Sequence, residues 1–130
     1  MATPSTPLLS GIRASRSLLL WRSGAILAAV GIASGAFGTH TLRARPGVNV
    51  HAWETASHYA ILNGLALLAV SLHPRFSAHR FAGPAILSGA IVFSGSIATM
   101  VLGGDRFKWL GPITPLGGLT MIAGYLALAF

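Results

Sequence analysis

The chain has 130 residues, 53% of them apolar and only 8% charged, where an ordinary soluble domain carries roughly 25% charged residues; a soluble fold of this size has no interior able to hide so much apolar surface. Nine Lys and Arg stand against one Glu and one Asp, a net charge of +7, yet the cations are scattered singly between apolar runs, which excludes the clustered patch of a nucleic-acid binder and fits helix anchors at lipid headgroups. The absence of cysteine excludes disulfides, thiolate metal sites, thiol catalysis and S-palmitoylation.

Residues 1–17 are rich in Ser, Thr and Pro and carry Arg13 and Arg16. They read as a flexible basic tail, or as a mitochondrial presequence, which is likewise rich in Arg and Ser and poor in acids. The remainder, 18–130, reads as one transmembrane domain of four apolar segments. The first covers 18–39, with Arg22 near its start able to reach back to the interface. Gly24, Gly31, Gly35 and Gly38 share one face of it, and Gly31 and Gly35 form a G-x-x-x-G pair. The second segment, 53–72, is stopped by Pro74. The third, 81–102, tolerates Pro84 in its first turn and stops at Gly103-Gly104.

The fourth segment, 109–130, is irregular because Gly111, Pro112 and Pro115 crowd its first third. Thr114 reads as an N-cap with Pro115 at the first helical position, so the regular helix is 115–130, about 24 Å long. Residues 109–114 then form a bent start at the interface. Gly117 and Gly124 repeat the glycine stripe. Such stripes serve packing within the bundle or dimerisation with another chain. Each segment reaches the ~20 residues that a spanning helix needs. The expected fold is therefore an all-α integral membrane protein, a four-transmembrane-helix up-down bundle with a proline-bent start to the fourth helix. One side would hold Arg13, Arg16, Arg22, Arg75 and Arg80, the other Arg43, Arg45, Arg106 and Lys108. So near a balance leaves orientation open, with a slight lean to termini on the cytosol or matrix side.

That topology puts His40, Glu54, His58, Asp105 and Thr114 on one side of the membrane, and His40, Glu54, His58 and Thr114 form the candidate polar cluster, with the 109–115 stretch beside it. Glu54 and His58 are four apart and share a helix face. Three uses compete. Glu54 pairs structurally with His58, His40 or Arg43; or the carboxylate and histidine handle protons or ions; or His40, His51, Glu54 and His58 bind a metal. The last spacing matches no zinc signature, and no metal or cofactor is expected. No nucleophile elbow, phosphate-binding loop or H-E-x-x-H helix occurs. Asn63 reads as an interhelical hydrogen-bonding group, and Ser94, Ser96 and Thr99 as bonding their own helix carbonyls.

G-A-F-G-T-H at 35–40, W-E-T-A at 53–56, F-S-G-S at 93–96 and W-L-G-P-I-T-P-L-G-G at 109–118 resemble, in the same order, the transmembrane protein 256 family, also called domain of unknown function 423. The resemblance covers 24–130. Its signature falls here on Gly35, Phe37, Gly38, His40, Trp53, Glu54, Tyr59, Trp109, Gly111, Thr114, Pro115 and Gly117. Thr39, Ala60 and Asn63 stand where the pattern usually has Ala, Gln and His, and losing that His weakens any proton relay along the second helix. The resemblance implies a small polytopic membrane protein of bacterial and eukaryotic distribution, with no activity attached.

The function expected is that of a non-enzymatic structural or accessory membrane component. The alternative is an oligomeric proton- or small-solute-conducting transporter or channel using Glu54 and His58. The expected partners are the lipid bilayer and other membrane proteins or a second copy, without nucleic acid. The mitochondrial inner membrane fits the basic Ser-rich start; other endomembranes or the plasma membrane remain open.

Overall fold

Uninterrupted apolar runs form the helices here, and Gly, Pro and side-chain caps end them. The computed structural model describes residues 6–130. Helix α1 is Thr6–His40, followed by a 3-10 turn at Leu42–Ala44; α2 is Val50–Leu72, α3 the short Pro74–Ser77, and α4 Ala82–Gly103. A 3-10 segment, Gly104–Leu110, leads to α5, Ile113–Leu128. There is no strand among the described residues.

Helix α1 begins well before residue 18. The stretch expected as a flexible tail is, from Thr6 onward, continuous helix; the earlier residues lie outside those described. Pro7 sits in the first turn, where its missing N–H leaves no hydrogen bond unmade. Helix α2 starts at Val50 because the Asn49 side chain accepts from Ala52 N at 3.0 Å, an N-cap. Helix α4 stops where expected. Gly104 turns the chain at φ +62°, and a Cβ on Gly103 would run into the Phe107 ring. The bend before α5 is present, centred on Phe107 and the Gly111-Pro112 turn. Thr114, however, is not its N-cap: Pro112 holds that place, and Thr114 lies in the first turn, where its hydroxyl bonds Ser96 at 2.6 Å.

The helices run antiparallel in chain order, α1 on α2, α2 on α4, α4 on α5. Because the main contacts follow this order, α1 and α5 are the outer members of the bundle. One end carries the start of α1, α3 and the close of α5 (the α3 end). The other carries both 3-10 segments (the 3-10 end). At the α3 end Leu20, Leu67, Val70 and Ile86 form a core, joined by Phe76 and Leu128.

Small residues recur every seven positions on the facing sides. Ser17, Gly24, Gly31 and Gly38 line α1; Ser57, Gly64 and Ser71 line α2; Ala82, Gly89 and Ser96 line α4; Gly117 and Gly124 line α5. A Cβ on Gly64 would lie 2.5 Å from Ala28 N, one on Gly31 2.8 Å from Ile61 N, and one on Gly117 2.6 Å from Phe93 N. Gly124 likewise faces Ile86 N at 3.0 Å. These four glycines, and Gly24 and Gly38, pack inside the chain. Gly35 does not belong with them, because its Cβ would meet only Ser57 Cβ at 3.9 Å, an ordinary contact. The operative row has period seven, as in antiparallel coiled packing, not the Gly31–Gly35 pair.

The composition is inverted relative to a soluble protein. Gly, Ala and Ser fill the helix seams while Ile26, Ile32, Leu62, Leu65, Ile91 and Leu119 are all more than half exposed. In water this surface would aggregate. In lipid it is the expected arrangement, since tails solvate large apolar side chains and association rests on close packing. Three helices, counting adjoining turns, are long and apolar enough to cross a membrane: those over Pro7–Ala44, Val50–Leu72 and Ala82–Leu110. Helix α5, with 16 residues, is shorter.

Candidate functional site

The 3-10 end holds all five of the polar residues singled out above, but the helices turn them to different faces. Trp53 sets the junction of α1 and α2. Its indole lies where a Cβ on Gly38 would be, 2.5 Å from Trp53 Cδ1, so only glycine admits it. The indole N–H donates to Ser34 O at 2.6 Å, and its ring packs on Phe37 with centroids 5.7 Å apart. Leu42, the first residue of the turn that follows α1, is fully buried.

This placement turns Glu54 to the outer groove between α1 and α2. Its carboxylate accepts from Arg43 Nη2 at 3.2 Å, with the Glu54 side chain one-third exposed. The groove is lined also by Gly35, Thr39, Ser57 and His58. Of the partners expected for Glu54, then, Arg43 is the one bonded. His40 is exposed at the close of α1. Thr114 is on the other hairpin, bound to Ser96, and the 3-10 segment before it packs on α4 and α5. Of the expected set, Glu54 and His58 share a groove on α1–α2, and Thr114 bonds Ser96 between α4 and α5. Among the described residues no three His, Asp or Glu side chains converge as a metal site. Asp105 pairs with Lys108 at 3.0 Å in full exposure.

A second polar site lies midway along α2. Asn63, 2% exposed, donates from Nδ2 to Tyr59 O at 2.7 Å and accepts from the Tyr125 hydroxyl at 2.5 Å. It is thus the interhelical group expected of it, tying α2 to α5. The sequence left its partner unnamed, and only the antiparallel register of α5 identifies Tyr125. Above it is a cavity of about 420 Å³, lined by Tyr59, Leu62, Phe93, Met121 and Ile122. Ser94 departs from expectation: it bonds Ala56 O on α2 at 2.8 Å rather than its own helix. Ser96 bonds both its own Phe93 O and Thr114, and Thr99 bonds Gly95 O as expected. No buried side-chain polar atom among the described residues lacks a partner. A separate cavity of about 230 Å³ lies where α1 and α4 diverge, walled by Leu27, Val30, Ala90, Ile91 and Ala98.

The family described as Protein of unknown function (DUF423) matches residues 34–118, the stretch from the Trp53 junction through Thr114 and Gly117. A UPF0382 membrane protein of Schizosaccharomyces pombe is 36% identical over 114 residues, covering 83% of this chain and 96% of its own. UPF0382 membrane proteins of Staphylococcus aureus and Staphylococcus haemolyticus are 37% and 33% identical, each covering 81% of this chain and 87% of their own. No solved structure matches the chain. With an inverted apolar surface, three helices of spanning length and relatives matched over most of their length, the chain is a membrane protein and belongs to the DUF423 family.

Proposed function

We propose that the chain crosses the bilayer four times, with α1, α2, α4 and α5 as the crossings, and serves as a non-catalytic structural or accessory component of its membrane. Helix α5 is about 24 Å long at 1.5 Å per residue, and a bilayer thins locally to meet a short helix at modest cost. The observation that carries the accessory reading is the use of the interior. Gly24 against Gly64 and Gly89 against Gly117 bring backbones together along both hairpins, so close packing occupies the space where a catalytic or conducting site would be built. The ionised side chains stand at the rims. Partners are the surrounding lipid and other membrane proteins. The basic, Ser-rich start favours an inner mitochondrial location, which imaging of a C-terminal fluorescent fusion checks.

A second reading has one observation in its favour: Glu54 and His58 line a single outer groove with Thr39 and Ser57. A second copy packed there would bury both and complete a conduit between subunits. Reconstitution in liposomes separates the two. The accessory reading expects no proton flux above protein-free vesicles, and affinity purification in mild detergent expects defined co-purifying membrane proteins. Reproducible flux, abolished by Glu54→Gln or His58→Ala, overturns it.

A further inference from the structure

The charges of this chain are distributed unequally between its two ends. Both of its side-chain carboxylates, Glu54 and Asp105, are at the 3-10 end, each held by a cation of that end, Arg43 and Lys108. The α3 end carries Arg13, Arg16, Arg22, Arg75 and Arg80 and has no Asp or Glu to answer them; Arg75 bonds Phe130 O at 2.8 Å. Arg16 and Arg80, with His79, border a cavity of about 180 Å³ whose floor is Leu19, Leu20 and Pro84. Arg16 is held over it by a hydrogen bond from Nη1 to Ala78 O at 3.2 Å. His79 is turned inward, its Nδ1 accepting from Phe81 N and Ala82 N at 3.1 and 3.0 Å. Arg80 is exposed and has no ion-pair partner among the described residues.

Below this basic rim runs an apolar groove. On α1, Arg16, Leu20, Leu27 and Ser34 are spaced four, seven and seven apart; on α4, Pro84, Ile91 and Ala98 are spaced seven and seven. Each set is one helix stripe, and each joins the lining of the 180 Å³ cavity to that of the 230 Å³ cavity nearer the 3-10 end. Leu20 covers Gly83 at the floor of the 180 Å³ cavity, its side chain buried there. A paired cation site at headgroup level with an apolar trough descending from it matches an amphiphile of one kind.

The geometry points to the α1–α4 groove as a binding site for an anionic phospholipid, its phosphate between Arg16 and Arg80 and an acyl chain along Leu19, Leu27 and Ile91. The assignment rests on α1 and α4 crossing the bilayer as described above. Guanidinium groups take phosphate through charge-assisted hydrogen bonds, and each basic residue near a membrane surface adds measurably to anionic-lipid attraction. A zwitterionic lipid fits the trough equally well but gains little from two unpaired arginines.

Native mass spectrometry of the full chain in mild detergent tests this, titrating dioleoyl phosphatidylglycerol against dioleoyl phosphatidylcholine. The expected result is a preference of roughly tenfold or more for phosphatidylglycerol. That preference is lost in the double variant Arg16→Gln with Arg80→Gln, and kept in Arg16→Lys with Arg80→Lys. It is also kept in Arg45→Gln with Arg106→Gln at the 3-10 end. Ile91→Trp, which fills the trough, should weaken both lipids alike. Equal retention of the two lipids by the unmodified chain overturns the assignment, as does a preference that survives the double Gln variant or lipid retention untouched by Ile91→Trp. Displacement of phosphatidylglycerol by sn-glycerol 3-phosphate at equal concentration would show phosphate alone to be the ligand and overturn it too. Carbonate extraction of the same variants from membranes reports insertion separately, so a failure of the crossing topology is seen as itself.

Discussion

At the scale of single residues, glycines of the same sequence class behave differently because only some face backbone. Gly64→Ala puts a methyl 2.5 Å from Ala28 N and 2.7 Å from Gly24 O. Neither atom can rotate away, so α1 and α2 must part, and overpacking of this kind costs about 1–3 kcal/mol. Gly35→Ala meets only an ordinary contact at 3.9 Å and should be neutral, or stabilising by up to ~1 kcal/mol from the lost backbone freedom of glycine in a helix. Thermal unfolding of both variants in one detergent checks the contrast; equal losses would refute it. Charge follows the same logic. Glu54→Ala removes the partner of a largely exposed Arg43, and a pair that exposed is worth about 1 kcal/mol or less. Asp105→Ala, whose side chain is almost wholly in solvent, should leave unfolding unchanged. A double-mutant cycle with Arg43→Ala measures the coupling directly.

At the scale of elements, two close hairpins, α1–α2 and α4–α5, are built alike and joined through a thinner seam between α2 and α4. That seam and its neighbours rely on side chains: Ser94 on Ala56 O, the Tyr59–Phe93 ring pair with centroids 4.8 Å apart, and Tyr125 on Asn63. Interhelical hydrogen bonds inside membranes average about 0.6 kcal/mol. Tyr125→Phe should therefore destabilise by about that amount and loosen α5 from α2, whereas Tyr59→Phe, whose hydroxyl has no hydrogen bond among the described residues, should not. Hydrogen exchange of α5 amides in detergent reads the loosening. Faster exchange in both variants, or in neither, contradicts this account of the seam. The elements themselves were largely legible in the sequence, since their ends fall at Pro74, Gly103-Gly104 and the Gly111-Pro112 turn. The exception is α1, which runs back to Thr6 because Leu8, Leu9, Ile12 and Ala14 favour helix once Pro7 has begun it.

At the scale of the whole molecule, the four crossings proposed above would place both 3-10 segments on one side. In this cysteine-free chain, Ala44→Cys and Asp105→Cys should label from the same side of sealed vesicles and Ser10→Cys from the other. Labelling of Ala44→Cys and Asp105→Cys from opposite sides would remove α4 or α2 as a crossing. As outer members of the bundle, α1 and α5 present large exposed side chains such as Ile26, Ile32, Leu119 and Ile122 to lipid or to a partner protein.

The sequence by itself determined the solvent: so many apolar residues, so few charges and runs of such length have a stable place only in a bilayer. It also determined the order of the helices, their antiparallel path and the end of the molecule at which each polar residue falls, because short connections leave no other route. What it could not determine was the face. His40, Glu54, His58 and Thr114 lie toward one end of the bundle in any antiparallel arrangement. Whether they meet depends on how each helix is rotated about its axis, and that rotation is set by the seven-residue glycine rows and by Trp53 seated on Gly38. Those contacts turn Glu54 toward Arg43 and Thr114 toward Ser96. They also leave Arg16 and Arg80 together over a groove, a pairing between residues far apart in the chain that only the packing of α1 against α3 and α4 could bring about.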